Sequence, residues 1–307
     1  MIANQVALIR RELWEHRAIY VTPVVIAVIV SLMSITGQVT VSSFNNALDV
    51  AILGITNLGE RERSGFITVL TAGLSGFFVL AMWVLIIFYT LDALYAERKD
   101  RSILFWRSLP CTDAETVLSK LLTAVLVIPL VTFAAIAVTQ LVVLALSSVW
   151  LGMHGANAWH LVWGAAPLFE NWLATLVFVM ALPLWLSPFI GWFLFVSAFT
   201  KRSPLLMAFL PILILPMLEK SLIGTTVFAD AFFVRSGSLP ILGEMDVGDF
   251  MFFEHGELQA ADSAAVSLLP LLNVGQFLGS PGLWLGLAVC GLFTTTAIYV
   301  RRYRDDS

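Results

Sequence analysis

The chain has 307 residues, of which 59% are hydrophobic and only 12% are charged, and its mean hydropathy is +0.90. Soluble domains carry about 25% charged and about 45–50% apolar residues. The composition therefore excludes a disordered protein, a nucleic-acid binder and an ordinary soluble enzyme. The formal net charge of −4 points to no particular partner, and Cys111 and Cys290 provide neither a disulfide framework nor a CxxC metal pair.

Six apolar runs are long enough, or nearly so, to cross a bilayer as helices of about 20 residues. They cover residues 19–37, 66–91, 121–146, 172–199, 205–218 and 283–300. A backbone in lipid must satisfy its own hydrogen bonds, and the runs lack the period-two alternation of barrel strands, so we predict helices. The sequence thus predicts an all-α integral membrane protein with one transmembrane domain over residues 1–307.

The lysines and arginines predict the orientation. With six spans both termini lie on one side of the membrane, and that side receives thirteen of the 17 basic residues. The remaining four are Arg61, Arg63, Lys220 and Arg235. By the positive-inside rule both termini are predicted to be cytoplasmic. The short fifth run is needed for this result, because without it Arg301, Arg302 and Arg304 would lie outside.

Residues 1–17 are predicted to form an amphipathic helix before the first span. Ile2, Val6, Ile9 and Leu13 recur at spacings of four, three and four, which places them on one helix face. Such a helix lies in the membrane interface with its apolar face in lipid. The alternative is a plain cytoplasmic extension of the first span. Because no small-residue cleavage site follows the first run, we expect it to remain as a signal anchor.

Prolines interrupt the fourth and fifth spans. Proline removes a helical hydrogen bond and kinks the helix, so we expect both spans to bend. A moving pair that gates a pathway would use Pro188, Pro211 and Pro216, together with Glu219 at the outer end of the fifth span. Static kinks that improve packing are the alternative.

No catalytic or cofactor-binding motif is present in the sequence. It contains no GxxxxGK[ST] phosphate loop, HExxH, GxSxG or GxGxxG, and the predicted span interiors are nearly free of ionisable residues. Asp92 lies at the cytoplasmic end of the second span, and Gln140 is the strongly polar residue inside the third. We therefore expect no catalytic residue, cofactor or metal in this chain. The same pattern argues against a proton- or sodium-driven carrier and against an intramembrane hydrolase.

The cytoplasmic segment 93–120, between the second and third spans, is the most informative part of the sequence. It is first charged and then apolar, which favours a short interfacial helix, and Leu109-Pro110 ends that helix. Thr112 and Glu115 then form a capping box that opens the next helix. We predict a helix–turn–helix under the membrane that presents a rigid surface to a soluble partner. A basic patch that binds anionic lipid is the alternative.

This segment resembles the permeases of ABC-2-type exporters. The resemblance is carried by Glu97-Arg98-x-x-Arg101-Ser102, then Leu109-Pro110, then Ser119-Lys120-Leu121, within residues 95–121. The topology is also similar over the whole chain: an amphipathic N-terminal helix, six spans, cytoplasmic termini and a longer outer segment before the sixth span.

The resemblance implies a specific assembly. Two such permeases, here expected as a homodimer in the lipid of the bacterial cytoplasmic (inner) membrane, bind two copies of a separate ABC ATPase. ATP and Mg would be bound by the ATPase, and the segment between the second and third spans would couple it to the permease. The implied coupling residues are Glu97, Arg98, Asp100, Arg101, Leu109, Pro110, Thr112 and Glu115. The chain would then be an exporter subunit and not itself an enzyme. A membrane-embedded lipid-modifying enzyme and a non-transporting membrane scaffold are the alternatives.

Residues 224–277 form an outer segment with seven acidic residues and one basic residue, Arg235. The resemblance implies that its last part, about residues 264–278, dips back into the membrane. The sequence fits two interpretations of this segment, an outer gate or partner platform and a plain acidic loop. In the sixth span Gly282, Gly286 and Cys290 form a small-residue stripe, which we expect to allow close helix packing within the chain.

Overall fold

A computed structural model describes residues 2–43, 59–100, 111–164, 166–243 and 267–303 of the chain. Over these ranges the protein consists of helices and short connections, with no β-strand. The helices in chain order are α1 (Ile2–Glu15), α2 (Ala18–Ser43), α3 (Glu60–Ala93), α4 (Tyr95–Lys99), α5 (Asp113–Leu122), α6 (Ile128–Met153), α7 (Leu168–Trp185), α8 (Ser187–Phe199), α9 (Pro204–Leu222), α10 (Val227–Gly237), α11 (Val274–Gly279) and α12 (Pro281–Tyr303).

Short irregular turns complete this order. The π-helical turn Thr123–Val127 joins α5 to α6, so that the two form one continuous rod, and a second π-helical turn covers Trp159–Trp163. Two 3-10 turns, Pro240–Leu242 and Leu269–Leu271, lie between α10 and α11.

The predicted number of membrane-length helices is confirmed for the described residues, but the fourth predicted run, 172–199, is divided between α7 and α8. Among the described residues, six helical stretches are long and apolar enough to cross a membrane. They are Ala18–Gln38, Glu60–Lys99, Asp113–Met153, Leu168–Trp185, Pro204–Leu222 and Pro281–Tyr303. The second and third are longer than the apolar runs that predicted them, because each continues as a helix beyond both ends of its run.

The predicted bend in the fourth span is a complete break at Leu186, between α7 and α8. Pro188 has no N–H to donate, and the N–H of Phe189, which would bond the carbonyl of Trp185 in an unbroken helix, donates to Leu186 O at 3.0 Å. Pro211 and Pro216 lie inside α9, which continues as a helix through both.

The core forms around α3, whose neighbours include α2, α6, α8 and α9. Phe78, Met82, Ile86 and Tyr89 recur every three or four residues along α3 and are all buried. The most extensive helix pair is α8 with α12.

The small-residue stripe of the sixth span packs within the chain, as expected. A Cβ atom on Gly191 of α8 would lie 2.9 Å from the Cα of Cys290, so this glycine is required for the close approach of α8 and α12. Gly282 approaches the indole of Trp185 in the same way.

The fifth span lies at the edge of the bundle. Of the 19 residues of α9 only Ala208 is buried. The first span is exposed along one side as well, where Val24, Val28 and Leu32 are each more than half exposed. These surfaces are apolar, as expected for helices that face lipid.

The two ends of the bundle differ in character. The terminal face is the end where α1, α4, the start of α5 and the end of α12 meet, and it carries the first and the last described helix. We call the other end, which carries α10 and α11, the opposite face.

Candidate functional site

A buried ion-pair cluster lies at the terminal face, centred on Glu97. One carboxylate oxygen of Glu97 lies 2.6 Å from Nη2 of Arg11 and 3.0 Å from Nζ of Lys120. The other oxygen lies 2.5 Å from Nη1 of Arg301. The three cations come from α1, α5 and α12, so one side chain of α4 ties three helices together.

A second carboxylate, Glu12 of α1, completes the cluster. Its side chain accepts hydrogen bonds from Nζ of Lys120 at 2.9 Å and from the hydroxyl of Tyr89 at 2.9 Å. Glu12 and Lys120 are both fully buried. We call Arg11, Glu12, Glu97, Lys120 and Arg301 the Glu97 cluster.

The charges of the buried part of the Glu97 cluster balance when Asp113 is included, and the exposed Glu15 adds a pair to Nε of Arg11 at 3.2 Å. Asp113 accepts a hydrogen bond from Nε of Arg301 at 2.9 Å, which gives three cations and three carboxylates. Burying an isolated charge costs several kcal/mol, and a pair offsets this cost only when its geometry and remaining hydrogen bonds are good. The cluster therefore holds its helices together only while it is complete.

Arg98, next to Glu97 in α4, caps the C-terminal end of α8 with its side chain. Its guanidinium donates to the carbonyl oxygens of Ser197 and Thr200, the latter at 2.9 Å. These carbonyls belong to the last turn of α8, where a helix leaves its acceptors unpaired and favours a positive charge. The hydroxyl of Ser197 in turn accepts from the backbone N–H groups of Leu94 and Tyr95 at 3.0 Å each. The junction of α3 and α4 is thus fastened to the end of α8.

The predicted capping box is confirmed at the start of α5. The hydroxyl of Thr112 accepts from the N–H of Glu115 at 3.1 Å, and the Glu115 carboxylate accepts from the N–H of Thr112 at 3.0 Å. The side chain of Gln5 donates to the carbonyl of Glu115 at 3.3 Å, so α1 also contacts this turn. The start of α5 is therefore fixed both locally and by α1.

The structure divides the sequence-predicted coupling residues into two groups. Glu97 is buried and Arg98 is half-buried, and both hold the segment from inside. Asp100 and Thr112 are exposed. Helix α4 ends at Lys99. The rest of the predicted interfacial helix, with Arg101, Leu109 and Pro110, lies outside the described residues.

The predicted gating residues lie apart from the Glu97 cluster. Pro188 begins α8, and Pro211 and Pro216 lie within α9. The Glu219 carboxylate accepts from the hydroxyl of Thr225 and from the N–H of Phe228, both at 2.9 Å, so it holds the turn between α9 and α10.

Sequence reasoning missed four members of this arrangement: Arg11, Glu12, Tyr89 and Arg301. In the sequence the basic residues contribute only to the count of positive charges, and Glu12 lies outside the apolar face predicted for residues 1–17. One signal was available, since Glu12 follows Leu8 by four residues and the two share a helix face. Both are buried.

Gln140, a polar residue inside the bundle, is hydrogen-bonded to two neighbouring helices. The amide of Gln140 donates to Thr71 O and to the hydroxyl of Ser75, each at 3.0 Å, and accepts from Nε1 of Trp172 at 2.7 Å. Such bonds join neighbouring helices where lipid offers no partner. Gln140 therefore binds α3 to α6 and α7.

A second arginine site lies where α7, α10 and α12 meet. Arg235 of α10 donates through Nη2 to Trp185 O at 2.7 Å and through Nη1 to Gly282 O at 3.0 Å, and its guanidinium lies 4.4 Å from the centre of the Trp185 ring. This carbonyl of Trp185 is the one left without a helical donor by the break at Leu186. Burial lowers the pKa of Arg235 below its ordinary value, which is far above neutrality, so the side chain is positive.

Comparisons with family models, with curated proteins and with solved structures found no match to this chain. The described residues define an all-helical, multi-pass membrane protein with six membrane-length helices.

Proposed function

We propose that this chain is the permease subunit of an ATP-binding-cassette exporter, which moves a substrate out of the cytoplasm using ATP hydrolysed by a separate ATPase. The observation that carries the proposal is the convergence of three cations from three helices on Glu97. Glu97 stands at the start of the segment 93–120. A displacement of that segment would therefore reach α1, α5 and α12 through buried salt bridges.

In this proposal the terminal face is cytoplasmic, as the positive-inside rule requires, and α1 lies in the membrane interface. The exposed groups Asp100 and Thr112 are available to the ATPase, while Glu97 and Arg98 transmit its movement to the spans. Movement of the segment would also reach α8, because Arg98 donates to the last turn of that helix. This turn lies beyond the break in the fourth span.

The assembly proposed is a homodimer of permeases with two ATPase subunits, in the lipid of the bacterial inner membrane. The ATPase would bind ATP and Mg. The GxxxxGK[ST] sequence that holds nucleotide phosphates does not occur in this chain.

A lipid-anchoring basic patch is the weaker interpretation of segment 93–120. Such a patch needs its cations at the surface. Arg98 donates to backbone carbonyls of α8. One of the cations that would form the patch thus faces the protein.

The proposal is tested by asking which protein lies against Thr112. The protein is purified from its native membranes in mild detergent, with Thr112→Cys in a background that lacks Cys111 and Cys290. We expect an ATPase to co-purify and to be cross-linked at this position. Ser238→Cys at the opposite face is the matched control and should give no ATPase adduct. Purification without any ATPase, or equal cross-linking at both positions, would contradict the proposal.

A further inference from the structure

A groove lies between the first and second spans, beside the start of the fifth. Its volume is about 720 Å³, within the range of about 300–1,000 Å³ typical of sites for drug-sized ligands. The walls are formed mainly by apolar side chains, among them Ile19, Leu80, Val84, Phe88 and Leu205. Four of these five residues are at least 40% exposed, so the groove is open along its length.

Asp92 gives this apolar groove a single negative charge. It is exposed, and it makes no hydrogen bond or ion pair with any described residue. The lining also contains His16, whose ring lies edge-on to Tyr89 at 4.9 Å between centroids. Burial lowers the pKa of His16 below its ordinary value of 6.5, so this ring is neutral at pH 7. Arg17, Lys201 and Arg202 are exposed at the same face and do not line the groove.

Aromatic rings stand beside the carboxylate. Phe88 precedes Asp92 by four residues on the same helix, so the two share a face, and its ring is 58% exposed. Tyr95 lies one turn beyond, with its hydroxyl donating to Arg202 O at 2.8 Å. An aromatic face attracts a cation, and most strongly where the cation is partly desolvated.

We propose that this groove binds an amphipathic organic cation, with the apolar body between α2 and α3 and the charged centre between Asp92 and Phe88. The negative charge disfavours a fatty acid or an anionic lipid headgroup at this position. As a binding site the groove does not depend on the exporter proposal. The further statement that the bound cation is the transported substrate rests on the exporter proposal.

The test uses two probes of the same shape and opposite charge, tetraphenylphosphonium and tetraphenylborate. Binding to the purified chain in detergent is measured by equilibrium dialysis against empty micelles. We expect saturable binding of the phosphonium ion and none of the borate ion. Asp92→Asn should weaken phosphonium binding by about fivefold, the effect of losing one partly exposed charge pair.

Two further variants separate the groove from the rest of the chain. Glu60→Gln removes an exposed carboxylate from the other end of the same helix and should leave binding unchanged. Val84→Trp fills the groove and should abolish binding while the protein elutes as wild type in gel filtration. Equal binding of both probes, or unchanged binding in Asp92→Asn, would overturn the proposal.

The two proposals fail in different ways. The dialysis uses the chain without an ATPase, so a negative result there leaves the exporter proposal standing. Conversely, binding without any co-purifying ATPase would leave the cation site in place and remove its role in transport.

Discussion

Nζ of Lys120 lies 2.9 Å from a carboxylate oxygen of Glu12, although 108 residues separate them and both side chains are fully buried. The pair fixes the N-terminal helix to the start of the third span. Helix α1 is therefore a structural part of the bundle, held by its polar side, while Val6 and Trp14 on its other side are exposed.

Breaking this pair should destabilise the protein strongly. Glu12→Gln leaves the buried cluster with one uncompensated positive charge, and we expect a loss of about 3–5 kcal/mol. Glu15 is exposed and, among the described residues, forms only an i,i+4 pair with Arg11 at 3.2 Å, so Glu15→Gln should cost less than about 1 kcal/mol. Chemical unfolding of the purified variants, followed by tryptophan fluorescence, measures both. Similar losses in the two variants would show that the cluster contributes little.

Arg235 and Gly286 should behave as one unit. Arg235→Gln leaves the carbonyl of Trp185 without its charged donor, and a buried polar group left unsatisfied costs about 1–3 kcal/mol. A Cβ on Gly286 would lie 1.8 Å from Nη2 of Arg235, so Gly286→Ala displaces the same guanidinium. The free energy of unfolding of the double variant should therefore fall by less than the sum of the decreases in the two single variants.

A control for this double-mutant cycle is Gly291, which lies on α12 as Gly286 does. A Cβ on Gly291 meets nothing within 4 Å, so Gly291→Ala should leave thermal stability unchanged or slightly raised. Additive losses for Arg235→Gln and Gly286→Ala would mean that the two residues act separately.

Stability should fall as the pH is lowered through about 6.5, and His16 is one cause. Burial lowers the pKa of His16 in the folded protein below the ordinary value of 6.5. Between the two values the unfolded chain binds a proton that the folded chain does not, so protonation favours unfolding. His16→Gln should flatten this part of the profile. Melting temperatures measured between about pH 8 and pH 5.5 provide the comparison, and parallel profiles would exclude His16 as a cause.

Coupling should depend on the cap of α5 more than on exposed charge in the segment. Loss of an N-cap costs about 0.5–2 kcal/mol, so Thr112→Ala should loosen the start of α5 and lower substrate-stimulated ATP hydrolysis by the reconstituted complex. Lys99→Gln removes an exposed charge nearby and should have little effect. If the charge variant loses more activity than the cap variant, segment 93–120 acts through lipid.

The proposed orientation can be measured directly. In a background without Cys111 and Cys290, a cysteine at Ser238 should react with an impermeant reagent added outside, and one at Ser203 should not. Ser203 immediately precedes α9 at the terminal face, and Ser238 immediately follows α10 at the opposite face. Labelling at Ser203 alone would show that the chain has the opposite orientation to the one proposed.

The sequence by itself determined the features that depend on neighbours along the chain. The six spans follow from the length of apolar runs, since lipid requires a helix wherever such a run crosses it. The cap at Thr112 needs only a partner three residues away. The missing N–H of Pro188 favours the break before it, but the same loss at Pro211 and Pro216 leaves α9 continuous, so proline alone did not decide where a helix breaks.

The tertiary structure alone decided which charges meet. Glu97 is separated from Arg11 by 86 residues and from Arg301 by 204, and Arg235 is separated from Trp185 by 50. A count of lysines and arginines treats all basic residues alike and does not show which of them are buried. Their partners depend on which helix ends are adjacent, and that is set by side-chain packing such as the contact of Gly191 with Cys290. Hydrophobic periodicity tells which face of a helix is buried, but not the helix against which that face packs.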